Sequence, residues 1–548
     1  MKIQVKYNGL FFSLMKFKNS LANISADYPE TVDEIKNLSF SELIEPPKNL
    51  KTARDRFNHQ RILYIKLSEG NDITWEEAAL GIKPLPSFTA PRDFYKNLRI
   101  VKMPKEIIEE AEKSRIYALA ILNHPERIVN LKEAQKLSFK KPSLAHSRVL
   151  DKAEQEHKLL TFSDIASVQP DLSSDRLHRR KLFSQGSFIP TSRKKLYGVR
   201  LPLTTGSMVS GCSELIASAA MTGSLALVYK ESLCHIPEVQ SEVLKNAIEI
   251  LYEAIEDPLW SKRKDKKDLL NFWLSQLGIT VGTELKDALP RVKLLAPLIK
   301  SGKIKNLAIR VYNPQVSKET VEVVKTLRKE YGETLEIFAG QANSVEAAQE
   351  LVEAGADAVG QGIAGGLRCT TSIVSGVAVS VLRDLWRMRG KVNVPIFVDS
   401  SVSYHWGLAL LSGASMLVKP SHFVGIESVG GRYPYYDGKN YYISYNGEAS
   451  SINKEHVGKI MKNGRPFAPE GVGGFAHINL QLPTIPDQVL DAIINFLIPP
   501  FVFQGTASGR RFESIEDMHK ESDLEFLWEL SEQSRKIRGA WGPTFHLR

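Results

Sequence analysis

The sequence has few cysteines and no long apolar run, and each absence excludes a class of protein. Its 548 residues include three cysteines, at positions 212, 234 and 369. Three cysteines can form neither a disulfide framework nor a cysteine-rich zinc site, so we predict no metal site and a reducing, cytoplasmic location. No apolar run reaches the ~18 residues of a membrane-spanning helix, and we predict neither a signal peptide nor a membrane partner.

Extremes of composition are also missing. Hydrophobic residues make up 43% and charged residues 24% of the chain, which excludes wholesale disorder and a collagen-like chain. The 72 basic and 62 acidic residues leave a net charge of +10, which favours anionic partners such as nucleotides. No module of interleaved aromatic and basic residues is visible, so we do not expect a nucleic-acid partner.

The chain divides into two parts. Residues 1–155 form an additional, mostly helical N-terminal region of unknown role, with amphipathic helices predicted at Lys105–Leu122 and Asn130–Leu137. No chemical motif occurs there, and the region fits either a solvated helical surface or an oligomerisation element. Residues 156–548 form the second part, in which short β-rich runs alternate with amphipathic helical runs.

The alternation in the second part predicts an α/β fold. Eight strands are predicted at Leu201–Thr205, Leu225–Lys230, Gly278–Thr283, Asn306–Tyr312, Leu335–Gly340, Ala358–Ile363, Pro395–Ser400 and Met416–Ser421. Helices are predicted between them, among others at Glu238–Ile255, Lys318–Tyr331, Val345–Ala354 and Ile373–Arg389. Eight such units are typical of a (β/α)8 TIM barrel, with a doubly wound open sheet as the alternative. In a barrel, the loops at the C-terminal strand ends carry the chemistry.

The glycine-rich loop Gly362–Ser372 is the most informative of these loops. Its glycines allow the backbone to approach a ligand closely. Cys369 would begin a helix beside Arg368, where the helix dipole and the guanidinium favour a thiolate. Such a thiolate is a candidate nucleophile, and the alternative is a buried small hydrophobic side chain.

With its Cys-Thr-Thr ending, this loop resembles the corresponding loop of the IMP dehydrogenase / GMP reductase family. Other segments resemble that family in the same order along residues 156–548, with a flap at about 425–480: Leu160–Ile165, Pro202–Met208, Glu353–Ala358, Val398–Ser401, Gly413–Ser415, Tyr445–Ser450 and Pro469–Gly474. The resemblance implies a TIM barrel in which the cysteine thiolate adds to C2 or C6 of a purine nucleotide. Hydride then passes to or from a nicotinamide cofactor, NADP or NAD. A homo-oligomer, a tetramer by analogy, is also implied.

The resemblance assigns roles residue by residue. Catalytic roles fall on Cys369, Thr371 and Glu470. Substrate-binding roles fall on Met208, Asp399, Ser400, Ser401, Ser421, Tyr445, Gly447, Glu448 and Ala449, with Asp399 holding the ribose hydroxyls unless it merely caps a loop. Cofactor positions fall on Arg310, Gln341 and Gly360. A monovalent-cation site would involve Ala364, Gly366 and Cys369.

The flap separates the two branches of the family. IMP dehydrogenases carry an Arg-Tyr pair between the two flap motifs, whereas the span Ser451–Pro469 contains no tyrosine. The paired CBS domains that many dehydrogenases insert after the second strand are also absent. These features favour a GMP reductase that converts GMP to IMP, although Pro469–Gly474 looks more like a dehydrogenase. The alternatives are an IMP dehydrogenase, a different reaction through Cys369, and a purine-nucleotide-binding barrel acting as sensor or scaffold.

Several positions depart from the family pattern. Arg310 stands where the family has a cofactor-contacting aspartate, Gln341 replaces an asparagine, and Gly360 falls near a basic residue. Leu367 replaces a phosphate-binding serine, and the glycines after the ribose aspartate are Ser400 and Ser401. Arg310 could favour a phosphorylated cofactor, since a guanidinium suits phosphate, or it could mean that cofactor binding has been lost.

Overall fold

The protein is described by a computed structural model for part of its length. The described residues are 138–167, most of 213–362, 380–399, 406–418 and 515–534, with Phe512 and the backbone of several short strands. The helices predicted at Lys105–Leu122 and Asn130–Leu137 lie outside this part of the chain. The predicted boundary at residue 155 stays a prediction.

Eight parallel strands form a closed barrel. They are β1 (Val199–Thr204), β2 (Ser224–Val228), β3 (Leu277–Val281), β4 (Leu307–Tyr312), β5 (Leu335–Gly340), β6 (Ala358–Gln361), β7 (Ile396–Asp399) and β8 (Met416–Val418). Each strand pairs with the next, and β8 pairs with β1 through Leu417 opposite Leu203. This closure confirms the predicted TIM barrel and excludes the open sheet.

Helices connect and cover the strands. The described helices are α1 (Arg148–Gln155), α2 (Ser213–Met221), α3 (Pro237–Ala254), α4 (Pro258–Ser261), α5 (Lys266–Ser275), α6 (Leu285–Lys300), α7 (Lys318–Tyr331), α8 (Val345–Ala354), α9 (Val381–Met388), α10 (Trp406–Leu411) and α11 (Ile515–Lys520), with 3-10 turns at Ser232–His235 and Gly332–Thr334. Helices α7 and α8 have the predicted bounds. No helix among the described residues has the length and apolar character needed to cross a membrane.

Local capping explains why α7 and α8 begin and end where they do. The Ser317 hydroxyl accepts from the Thr320 amide and the Thr320 side chain accepts from the Ser317 amide, which is a reciprocal capping box. Ser344 caps α8 in the same way through its hydroxyl. The helices end at Gly332 and Gly355, where φ is 56° and 109°, a region that glycine enters without steric cost.

The barrel strands bury apolar side chains on both faces. The larger core lies between the strands and the helices and includes Ile309, Ile337 and Val359. A second cluster takes the alternate strand positions and fills the barrel interior: Leu225, Leu227, Ala308, Phe338, Ala358, Phe397, Met416 and Val418. The interior below the mouth is therefore packed rather than open.

The segment leading into β6 is held by an ion pair. Arg328 on α7 places Nη2 2.5 Å from Asp357 Oδ2, and its guanidinium also donates to the Gly355 carbonyl. The same Asp357 oxygen accepts from the Ile337 amide at 2.8 Å. These bonds tie α7, β5 and the start of β6 together, which fixes the strand that leads into the Cys369 loop.

The two ends of the described chain meet at α9. The strand Ile165–Ser167 pairs with Leu527–Glu529, and the Ser380 hydroxyl that caps α9 donates to the Leu160 carbonyl. Arg389, just after α9, donates to backbone carbonyls of α10 and of the C-terminal segment at Leu411, His519 and Glu521. The C-terminal segment is thereby joined to the barrel wall.

A small antiparallel sheet lies in the sequence region predicted as the flap. Its strands are Pro434–Tyr436, Tyr441–Asn446 and Gly473–His477, in that order. The strand Arg99–Ile100 pairs with Pro434–Tyr436 at the sheet edge. The N-terminal region therefore contributes a strand to the flap sheet. A short strand, Ile189–Pro190, pairs with β1 outside the barrel.

Candidate active site at the barrel mouth

A buried ion pair lies inside the barrel at the C-terminal ends of β4 and β7. Arg310 Nη2 is 2.5 Å from Asp399 Oδ2, and the two side chains are 1% and 5% exposed. Arg310 lies on the same face of β4 as Ala308, and Asp399 on the same face of β7 as Phe397, so both side chains face the interior. A charge at this depth needs a partner of opposite sign, which each supplies to the other.

A second donor binds the same carboxylate oxygen. Gln341, the first residue after β5, donates from Nε2 to Asp399 Oδ2 at 2.9 Å. Its backbone amide donates to the Asn313 carbonyl at 2.5 Å, which fixes Gln341 against the end of β4. Oδ2 of Asp399 therefore accepts from a charged and a neutral donor at once.

Aromatic rings surround the guanidinium. Its central carbon lies 4.8 Å from the ring centroid of Tyr312 and 5.3 Å from that of Phe397, distances at which a cation is attracted to the ring face. Tyr229 at the end of β2 contacts Tyr312 edge-on, with centroids 6.1 Å apart. Sequence reasoning missed these rings, although the alternation of β4 would have placed Tyr312 on the same face as Arg310.

The charge state of Arg310 follows from these contacts. Burial by itself lowers the pKa of Arg310, but the Asp399 carboxylate and the nearby tyrosines more than offset burial, so the pKa lies above its ordinary value. The guanidinium is therefore charged throughout the accessible pH range. It supplies a permanent positive charge to the floor of the barrel mouth.

Gly360 completes this packing on β6. A Cβ added at Gly360 would lie 2.6 Å from Cζ of Phe397, closer than real atoms approach. The Phe397 ring therefore fills the space that a side chain at position 360 would need. All three described members of the predicted cofactor set, Arg310, Gln341 and Gly360, contact Asp399 or Phe397 inside the barrel.

The other predicted site residues lie outside what the structure describes. These are Cys369, Thr371, Glu470, Met208, Ser400, Ser401, Ser421, Gly447, Glu448, Ala449, Ala364 and Gly366, and of Tyr445 only its place in the flap strand is described. Their positions along the chain still relate them to the barrel. β6 ends at Gln361 and continues into the Cys369 loop, while β7, its paired neighbour, ends at Asp399.

A separate polar cluster supports the mouth between β2 and β3. Gln240 on α3 donates to the carbonyls of Val228 and Thr280 at 3.0 and 2.9 Å, and its own carbonyl accepts from Arg291. Arg291 also donates to the Cys234 carbonyl at 2.8 Å. The Cys234 side chain is buried.

The carboxylate of this cluster is also held by charge and hydrogen bonds. Asp287 accepts from Arg291 Nε at 2.8 Å and from the Gly282 amide at 2.7 Å. Burial raises the pKa of Asp287, but Arg291, Lys230 and the Gly282 amide outweigh burial and lower it below its usual range. The cluster holds the ends of β2 and β3 in place and presents no nucleophile.

Comparison with known proteins assigns the family. The family model described as the IMP dehydrogenase / GMP reductase domain matches residues 189–495, more than half of the chain. The chain belongs to the IMP dehydrogenase / GMP reductase family. The matched span contains all eight barrel strands and three of the four strands of the flap sheet, the fourth being Arg99–Ile100.

Curated relatives within this family are 29–32% identical to this chain over the aligned segments. Inosine-5′-monophosphate dehydrogenase of Aquifex aeolicus is 29% identical over 209 residues, 36% of this chain and 41% of the relative. The enzyme of the same name from Halalkalibacterium halodurans is 32% identical over 166 residues, 29% of this chain and 34% of the relative. That from Mycobacterium leprae is 32% identical over 171 residues, 28% of this chain and 32% of the relative. The chain thus spans about two fifths or less of the length of these relatives.

Proposed function

We propose that this chain is a purine-nucleotide oxidoreductase that acts through a covalent adduct on Cys369, in the manner of GMP reductase. One observation carries the proposal: the paired strands β6 and β7 end side by side, with the Cys369 loop following one and Asp399 ending the other. A nucleotide whose ribose is held at Asp399 would present its base toward a nucleophile on the adjacent loop.

The proposed chemistry at the cysteine is substitution at a purine carbon. The Cys369 thiolate attacks the carbon that carries the amino group of GMP, and the amino group leaves as ammonia, which gives a covalent adduct. Thr371 and Glu470 are proposed to move the protons that ammonia requires. The direction toward GMP is supported by the span Ser451–Pro469, which holds no tyrosine and hence no Arg-Tyr pair for a water step.

A reduced nicotinamide cofactor, NADPH or NADH, would supply a hydride to the adduct carbon, and the Cys369 thiolate would leave as the carbon–sulfur bond breaks, which releases IMP. The three described residues assigned to it do not fit that role. Arg310 is 1% exposed and bound to Asp399, Gln341 donates to the same carboxylate, and Gly360 is covered by Phe397. The contacts to the cofactor must then come from other residues. The monovalent cation and the homo-tetramer implied by the resemblance stay predictions, as does the cytoplasmic location predicted from the few cysteines.

Two other functions each have an observation in their favour. The curated relatives are named inosine-5′-monophosphate dehydrogenase, which favours oxidation of IMP to XMP. The bond between Arg310 and Asp399 favours a barrel that binds a purine nucleotide without turnover, as a sensor or scaffold, because it occupies part of the predicted ribose site.

One set of assays separates the three functions. The protein is incubated with GMP and NADPH, or with IMP and NAD, while nicotinamide absorbance is followed and nucleotide binding is measured by calorimetry. We expect turnover with GMP that is lost in Cys369→Ala and kept in the matched control Cys234→Ala. Turnover only with IMP would support the dehydrogenase, and binding without turnover in either direction would support the sensor. Turnover that persists in Cys369→Ala would refute the adduct.

A further inference from the structure

The acceptor capacity of Asp399 is limited by its neighbours inside the barrel. A carboxylate has about four lone-pair sites, two on each oxygen. Oδ2 of Asp399 accepts from Arg310 at 2.5 Å and from Gln341 at 2.9 Å, so both of its sites are used by the protein. At most one carboxylate oxygen is then left for a sugar.

Recognition of a ribose by a carboxylate depends on both oxygens. The adjacent 2′ and 3′ hydroxyls of ribose each donate one hydrogen bond, and a carboxylate receives the pair most favourably with one hydroxyl on each oxygen. A 2′-deoxyribose offers only the 3′ hydroxyl. With Oδ2 occupied, the remaining oxygen would have to accept from both hydroxyls, which is a less favourable geometry than one hydroxyl on each oxygen, so the second hydroxyl contributes less.

The two donors to Oδ2 are held firmly, so they do not yield easily to a sugar hydroxyl. Arg310 is 1% exposed, carries a charge that needs a buried partner, and packs on the rings of Tyr312 and Phe397. Gln341 is 2% exposed and its backbone is bonded to the end of β4. Displacing either donor would leave a buried polar group without its partner.

We infer that Arg310 and Gln341 are specificity-determining residues that make the nucleotide site accept 2′-deoxyribonucleotides about as well as ribonucleotides. The inference rests on the proposed function, because it takes Asp399 as the residue that meets the sugar. The substrate class is thereby widened from purine ribonucleotides to purine 2′-deoxyribonucleotides such as dGMP and dIMP.

Equilibrium binding tests this inference independently of catalysis. Calorimetric titrations with GMP and dGMP, and with IMP and dIMP, give the ratio of dissociation constants for each pair. A ribose hydroxyl held by a carboxylate contributes roughly tenfold to a hundredfold in affinity. We expect the full-length protein to show a ratio within about threefold, below that contribution.

Two variants test the cause. Gln341→Met removes the neutral donor with little change in volume, and Arg310→Met removes the charged donor. Each frees an acceptor site on Oδ2, so we expect the preference for ribose to rise to roughly tenfold in whichever variant folds. If Arg310→Met does not fold, Gln341→Met still tests the inference, because it keeps the ion pair.

The outcomes are distinct. A ribose preference above tenfold in the unaltered protein would overturn the inference, as would a ratio near one that neither variant changes. Failure to bind any of the four nucleotides would overturn the proposed function and the inference together. Equal binding of both sugars without turnover would overturn the proposed activity while supporting the inference about the sugar site.

Discussion

The Arg310–Asp399 pair predicts a large loss of stability when one partner is removed and a smaller loss when both are. Arg310→Met leaves the Asp399 carboxylate 5% exposed without its cation, and Asp399→Leu does the same to a guanidinium 1% exposed. Removing one partner of a buried pair costs about 3–5 kcal/mol, whereas an apolar replacement of both is often close to neutral. A double-mutant cycle should therefore give a coupling free energy of several kcal/mol.

The assay is thermal unfolding followed by circular dichroism, with urea titration as a second measure. At about 1 °C per kcal/mol for a chain of this size, each single variant should lower the melting temperature by roughly 3–5 °C. The double variant should lower it by less than either single variant. Both the melting temperature and the free energy of unfolding are compared between each variant and the unaltered protein, so the absolute stability of the barrel does not enter.

The matched control is a pair at the surface. Lys140 Nζ lies 2.7 Å from Glu516 Oε1, a similar distance, but the two side chains are 60% and 31% exposed. Exposed pairs contribute about 0–1 kcal/mol, so Lys140→Ala should shift the melting temperature by about 1 °C or less. A shift of that size for Arg310→Met, or additive losses in the double variant, would refute the reasoning.

Three further predictions concern packing, pH and the C-terminal segment. Gly360→Ala should cost about 1–3 kcal/mol in urea unfolding, because its Cβ would lie 2.6 Å from Phe397, and adding Phe397→Leu should recover part of that loss. Burial lowers the pKa of His519 to about 4 in the folded protein. Below pH 6.5 the unfolded chain therefore binds a proton at His519 that the folded chain does not bind. The free energy of unfolding should fall by about 1.4 kcal/mol per pH unit from pH 6.5 toward pH 4, and by less in His519→Gln. Arg389→Met removes the hydrogen bonds that the guanidinium donates to the carbonyls of Leu411, His519 and Glu521, at about 1–3 kcal/mol each. It should therefore speed proteolysis within residues 515–534, whereas an unchanged digestion rate would contradict this role.

The fold was predictable because its determinants are local. Helix α7 begins at a serine cap and ends at a glycine with positive φ. Both residues can be recognised as helix boundaries from the local sequence alone. The strands alternate between residues that face the helices and residues that face the interior, as in Leu307–Tyr312. A closed barrel then follows from eight such units, since closure removes the exposed sheet edges.

The contacts inside the barrel were not predictable in the same way. Arg310 and Asp399 are 89 residues apart and lie on strands that are not neighbours in the sheet, so only closure of the barrel brings them together. Resemblance alone placed Arg310 with the cofactor and Asp399 with the substrate, whereas the structure joins them. Strand alternation could have placed both in the interior, but not in contact.

The departures from the family pattern at Arg310 and Gly360 are one change rather than two. The family has an aspartate at the first position and a basic residue near the second, whereas here the positive charge lies on β4 and the β6 position has no side chain. Phe397 fills the space that Gly360 leaves, and its ring packs against the Arg310 guanidinium. In this protein the cation lies on β4 and contacts Asp399, while the β6 position carries no side chain.

This coupling gives a last prediction about restoring the family pattern. Arg310→Asp alone would place two carboxylates in a site less than a tenth exposed, with no cation to compensate, and should be more destabilising than Arg310→Met. Combining it with Gly360→Lys and Phe397→Ala returns a cation to β6 and clears the space for its side chain. Urea unfolding of the triple variant should recover part of the loss, because the buried charges are again balanced. A triple variant no more stable than Arg310→Asp alone would contradict the coupling between positions 310 and 360.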